Sequence, residues 1–146
     1  MTPAARIERL AVDPVVENLA TVARAEGFAF LDRLVAEWTD GTNRFDRSDE
    51  VLFGAFIDGE LVGTAGLTHQ REELGRVRRV YVHPVHRSKG IATALMTEVL
   101  AFAQTHYSTL VLFSETPEAF RLYERLGFAP ENPTGRDRAT HRLIFS

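Results

Sequence analysis

The segment Val80-Tyr81-Val82-His83-Pro84-Val85-His86-Arg87-Ser88-Lys89-Gly90-Ile91-Ala92 passes from an apolar run through a basic loop into a helix-like stretch. A junction of this kind binds phosphate. The first amides of a helix have no partner inside it and sit at the positive end of its dipole, and glycine and alanine allow an anion close to the backbone. Arg87 and Lys89, the latter the only lysine in the chain, add charge. Read alone they are solvated cations, but cations at a helix head are unfavourable without an anion beside them, so an anion partner is the preferred reading. The loop is not a Walker A motif, which needs G-x-x-x-x-G-K-[ST], nor a dinucleotide fingerprint, since Gly90 stands without a second and third glycine. The phosphate belongs to some other class of ligand.

Residue types elsewhere narrow the chemistry. The chain has no cysteine, which excludes thiolate nucleophiles, disulfides and cysteine-held metals. No G-x-S-x-G serine signature is present, so nothing points to a covalent acyl-enzyme. The histidines, at 69, 83, 86, 106 and 141, show no metal-ligand spacing; no catalytic metal is expected, and each is read as a surface histidine. Glu72, Glu73 and Glu115 are candidate general bases, Glu115 the best placed because it follows a strand whose end should border a cleft. Tyr123 falls on an apolar helical stripe, as a core tyrosine would.

The elements that must position these groups follow from periodicity. Ile7 to Ala11 reads as a short strand, and Asp13-Pro14 as a capped helix start. Val15, Leu19, Val22 and Ala23 make one helical stripe; Leu31, Leu34, Val35 and Trp38 make a second beyond Glu26-Gly27-Phe28. Val51 to Ile57 and Leu61 to Leu67 flank Asp58-Gly59 as a hairpin, and after the punctuation Glu72-Glu73-Leu74-Gly75 a third strand runs from Arg76 to Val82. A long helix starts near Lys89, Leu110 to Phe113 is a buried strand, and Thr116-Pro117 opens a helix stopped by Gly127, with Thr116 as its cap. A polar loop from Glu131 to Arg138 and a closing strand, Thr140 to Phe145, complete the chain. The order predicts an α+β domain with a mixed sheet.

With 146 residues, 45% hydrophobic and 25% charged, one domain over residues 1–146 is expected. No apolar run reaches the roughly 18 residues of a membrane span, and no secretory leader is recognisable, so a cytoplasmic protein without membrane partners is expected. A net charge of −3 argues against nucleic acid as a partner. The charge is unevenly spread. Residues 1–60 hold 6 basic and 12 acidic side chains, residues 61–110 hold 6 and 3, which makes the middle of the chain the anion binder.

Arg87-Ser88-Lys89-Gly90-Ile91-Ala92 resembles the [RQ]-x-x-G-x-[GA] loop of the GNAT N-acetyltransferase superfamily, which cradles the pyrophosphate of acetyl-coenzyme A. Val80-Tyr81-Val82-His83-Pro84 resembles the strand end before that loop. Ala119-Phe120-Arg121-Leu122-Tyr123-Glu124-Arg125-Leu126-Gly127-Phe128 is similar to the family's A-x-x-L-Y-E-x-x-G-F helix. The likeness spans about Leu52 to Phe128. It implies a mixed, mainly antiparallel twisted sheet of six or seven strands with about four helices. It also implies acetyl-coenzyme A as cosubstrate, held by Val80, Tyr81 and Val82 along the pantetheine and by Arg87, Ser88, Lys89, Gly90, Ile91, Ala92 and Thr93 at the pyrophosphate. Thr116 stands where the family often has asparagine against the pantetheine arm, and Tyr123 where a hydroxyl protonates the departing thiolate. The implied reaction is direct acetyl transfer to a primary amine, expected to be that of a small molecule, with a catalytically inactive coenzyme A-binding regulatory or partner-binding domain as the alternative. The acidic first sixty residues, through the loop near Glu26 to Phe28, would favour a cationic acceptor. A homodimer is left open.

Overall fold

The computed structural model describes residues 4–11 and 14–146. The elements run β1 (Arg6–Arg9), α1 (Pro14–Ala25), α2 (Phe30–Asp40), β2 (Val51–Ile57), β3 (Glu60–Arg71), β4 (Leu74–Val82), α3 (Ile91–Gln104), β5 (Thr109–Leu112), α4 (Pro117–Arg125), β6 (Ala129–Pro130) and β7 (His141–Ile144), with a 3-10 turn at Pro84–His86. They form one seven-stranded sheet of order β1-β2-β3-β4-β5-β7-β6, antiparallel except for β4 beside β5. The expected α+β class with a mixed sheet is therefore what the chain adopts. The expected Asp13 cap and the side chains of Pro14 and Val15 lie outside the described residues. Among the described residues no helix is long and apolar enough to cross a membrane.

Alternation along the strands sends side chains to two cores. Val51, Phe53, Ala55 and Ile57 pack towards Leu95, Met96 and Val99 of α3, whereas Leu52 joins Leu19, Leu31 and Leu34 of α1 and α2. Central strands buried on both faces read as continuous apolar runs, which is why β2 shows no polar alternation. The hairpin at Asp58-Gly59 is present, both residues having positive φ.

Two boundaries differ from the sequence reading. β3 continues to Arg71 and turns through Glu72 and Glu73 alone, so Leu74 and Gly75 begin β4 instead of punctuating it. Gly75 is there for space: a Cβ at this position would stand 2.9 Å from the Tyr107 ring and 3.0 Å from Leu110. The two-residue β6 has no counterpart in the sequence reading, because it is too short to carry a pattern.

The segment between β6 and β7 is tied to the sheet through Asp137, whose side chain is only 4% exposed. Its carboxylate accepts two bonds from Arg71 at 3.1 Å and one from Arg142 at 2.7 Å, and these guanidinium groups hold its pKa down to about 2. Because the folded-state pKa lies below the ordinary carboxylate value of about 3.9, the stabilisation is complete above that value and fades as pH falls towards 2. Asp137→Asn keeps the shape and removes the charge. Hydrogen bonds to charged groups contribute about 1.5–3 kcal/mol, so the variant should melt about 5 °C or more below the parent at pH 7, with the gap closing in scans towards pH 2. A gap that persists at pH 2 would assign the effect to packing instead.

Candidate active site

β4 and β5 run side by side for three residue pairs only, Leu74 with Thr109, Gly75 with Leu110 and Arg76 with Val111. Beyond Arg76 they separate. The cause lies on the other edge of β4, where the register with β3 jumps from Gly66 opposite Arg78 to Thr64 opposite Tyr81, leaving an extra residue on β4. Arg79 takes a positive φ of 58° within this bulge, and the buried Thr64 hydroxyl donates to the Arg79 carbonyl at 2.7 Å. A cleft of about 680 Å³ opens between the separated strands, with Val77 to Val82 as one wall and Leu112 to Thr116 as the other. The backbone groups of β4 on that side have no β5 ladder to enter and are free to pair with an extended ligand.

The α3 head closes one end. Gly90 occupies its cap position in the left-handed region at φ 79°, and no side chain caps the first amides. Ser88, two residues earlier, is also left-handed at φ 63°. These turns bring the Arg87 to Thr93 backbone around the helix start, the arrangement an anion needs. Of the residues named from sequence, Val80, Tyr81, Val82, Arg87, Ala92, Thr116 and Tyr123 line the cleft itself, whereas Ser88, Lys89, Gly90, Ile91 and Thr93 form the loop and helix head beside it. The Ile91 side chain is buried in the core, so only its amide is available to a ligand.

Arg87 is not an idle cation. Its Nη2 and Nη1 donate to Glu26 at 2.6 and 2.9 Å, its Nε donates to the Val82 carbonyl at 3.0 Å, and the Tyr81 hydroxyl donates to the same Glu26. Glu26 is held below its ordinary pKa by Arg87, and burial pushes the Tyr81 phenol up. This link joins the α1–α2 turn to the loop before α3 across 61 residues of chain, and no local pattern announces it.

Thr116 sits at the α4 cap position but its hydroxyl makes no capping bond; Ser114 Oγ accepts from the Thr116 amide instead, at 3.2 Å. The sequence reading of Thr116 as a plain cap is thus corrected, and its hydroxyl is left to the cleft. Tyr123 is 5% exposed, and burial pushes its phenol up to about 12. Its ring packs edge-on to Phe128, and among the described residues its hydroxyl has no hydrogen-bond partner. A neutral donor at the cleft wall results.

Glu115 lines the cleft, but Glu72 and Glu73 lie at the β3–β4 turn, by the paired ends of β4 and β5 and away from the opening. His141, read as a surface residue, is instead 1% exposed, with Nε2 at 3.0 Å from Glu124 and Nδ1 at 3.0 Å from Thr140 Oγ1. Among the described residues no three histidine or carboxylate side chains gather as metal ligands would.

The model of the acetyltransferase (GNAT) family matches residues 15–128. N-acetylaspartate synthetase of Xenopus tropicalis is 40% identical over 78 residues, a segment that makes up 51% of this chain and 29% of that protein, so the chain matches less than a third of that relative's length. A crystal structure from Exiguobacterium sp. 255-15, assigned as an acetyltransferase, superposes with a TM-score of 0.84 at 30% identity, covering 96% of this chain and 93% of that one. PaiA N-acetyltransferase of Thermoplasma acidophilum, solved in complex with coenzyme A, superposes at 0.71 with 20% identity over 97% and 99% of the two chains, a likeness of fold alone. On the extent of the family match, the chain belongs to the acetyltransferase (GNAT) family.

Proposed function

We propose that this protein is an acetyl-coenzyme A-dependent N-acetyltransferase that passes the acetyl group directly to the amine of a small molecule. The observation that carries the reading is the β4–β5 separation, which presents unpaired β4 backbone beside an uncapped helix head and a buried, unpartnered tyrosine. The fit to coenzyme A is chemical: a strand edge suits the amides of a pantetheine arm, and the α3 amides suit a pyrophosphate.

Bound acetyl-coenzyme A supplies an activated acetyl thioester. In this reading Val80 to Val82 take the pantetheine as a further strand, and one of their N–H groups polarises the thioester carbonyl. The Arg87 to Thr93 backbone holds the pyrophosphate, and the Thr116 hydroxyl meets the pantetheine. As the acceptor nitrogen forms its bond to the acetyl carbon and the carbon–sulfur bond breaks, Tyr123 donates to the departing sulfur. The proton shed by the amine passes to Glu115, directly or through water. A phenol is a weaker acid than a thiol, which titrates near about 8.5, and burial weakens it further, so complete transfer from Tyr123 is uphill. Its contribution is a hydrogen bond to developing charge.

A panel of amines with acetyl-coenzyme A, scored by release of free thiol, tests the proposal. Amine-dependent release is expected, and it should survive EDTA, because polarisation here comes from backbone N–H groups. Cofactor binding by calorimetry with no release for any amine would favour the inactive regulatory domain. Release abolished by EDTA and restored by one divalent ion would overturn the mechanism.

A further inference from the structure

The far end of the cleft from the phosphate loop is rich in arginine. Arg76, Arg78 and Arg33 line it, and a second hollow of about 530 Å³, which shares Arg76, Arg78 and Phe113 with it, adds Arg136 and Arg138. Among the described residues none of these five has a carboxylate partner. Arg76 is buried, donating through Nε to Gln70 at 3.1 Å and through Nη2 to the Asp137 carbonyl, which are neutral acceptors. Arg78 donates only through Nε, to Thr68 at 2.9 Å, which leaves its terminal nitrogens for another group.

Three of the carboxylates that reach this region are committed to other arginines, and the buried Glu50, which faces Arg78, accepts from the His69 amide at 3.0 Å. Glu37 is bonded to Arg79 at 3.0 Å, Glu26 to Arg87, and Asp137 to Arg71 and Arg142. Of the acidic first sixty residues, from which a cationic acceptor is expected, Glu26 and Glu37 are thus paired with arginines at the cleft. Glu115 and Glu118 remain, on the α4 side. Burial and the neighbouring arginines lower the pKa of both Arg76 and Arg78, while Asp137 facing Arg76 and Glu37 and Glu50 facing Arg78 oppose the shift. Arg79 adds a buried Nε with no partner.

We propose that Arg78 and Arg76 form a carboxylate-binding subsite for the acceptor, so that the substrate class is small amines carrying a carboxylate. This rests on the transferase reading. A guanidinium whose Nε is tied to Thr68 presents its two terminal nitrogens in a fixed plane, the geometry a carboxylate accepts. The subsite is separate from the phosphate loop: Arg78 lies four residues before Val82 on β4, on the other side of the Arg79 bulge. The same positive field disfavours an ammonium beside it, which helps the acceptor reach the neutral form that attacks.

The test compares the twenty common amino acids with their α-carboxamides as acceptors, alongside the corresponding α-aminophosphonates, by thiol release. The best acid is expected to exceed its carboxamide in kcat/KM by at least about tenfold. In Arg78→Gln that ratio should collapse towards one through KM for the acid, with Arg78→Lys restoring part of it; melting curves check that both variants fold. Equal use of acid and carboxamide by the parent, or an unchanged ratio in Arg78→Gln, overturns the proposal. A preference for phosphonate over carboxylate overturns the carboxylate assignment. Should no amine be acetylated, the transferase reading fails and the subsite is judged separately by calorimetry of the N-acetyl amino acids and their amides with coenzyme A present. Tighter binding of the acids by the parent, lost in Arg78→Gln, supports it; equal binding refutes it.

Discussion

Tyr123→Phe is expected to lower kcat between tenfold and about a hundredfold while leaving acetyl-coenzyme A affinity and the melting temperature within error of the parent. The phenol is buried, and its hydroxyl has no partner among the described residues, so its removal costs the fold no hydrogen bond and the phenylalanine ring fills the same space beside Phe128. What is lost is a donor to the sulfur as charge develops on it. A hydrogen bond to a charged group contributes about 1.5–3 kcal/mol, which converts to the stated range, and general-acid effects start at about a hundredfold only when a whole proton moves. Measurement at saturating cofactor with an amine found by the screen isolates this term. Unchanged turnover in a well-folded variant would take Tyr123 out of the mechanism and leave the thiolate to solvent. A parallel fall in stability would mark it as a packing residue.

Gly90→Val should weaken acetyl-coenzyme A binding by tenfold or more. A Cβ at Gly90 would meet no protein atom within 4 Å, so crowding within the protein is not the reason. The reason is φ of 79°, which a β-branched residue adopts only at a cost on the order of 1–3 kcal/mol. The chain relieves that cost by rotating the cap, which turns the α3 amides away from the phosphate position. The helix itself should persist, because Leu95, Met96 and Val99 remain buried on the sheet. Gly90→Asn, able to enter the left-handed region, should keep most of the affinity. Calorimetric titration of all three proteins distinguishes the cases: valine binding as tightly as glycine would show that the loop does not hold the pyrophosphate.

The loop before α3, with Gly90 left-handed at the helix head, was legible in the sequence because a helix head is a local device. The apolar run, the basic loop, Gly90 and the α3 stripe are contiguous, and backbone geometry over a dozen residues creates the binding potential. Most elements were legible for the same reason, as periodicity and turn chemistry act within one segment; Leu74 and Gly75 were misplaced because Gly75 answers to Tyr107, 32 positions away. The cleft was a tertiary decision. Its opening depends on a bulge at Arg79 pinned by Thr64 and on a parallel pairing that stops at Arg76, both contacts between strands distant in sequence. Charge shows the contrast most sharply. The acidic excess of residues 1–60 suggested a cationic acceptor, but Glu26 and Glu37 are paired with Arg87 and Arg79, and among the described residues Arg76 and Arg78 bond only to neutral acceptors. Composition counts charges, whereas the potential in a cleft depends on which are paired, and pairing across 61 residues is settled only when the chain folds.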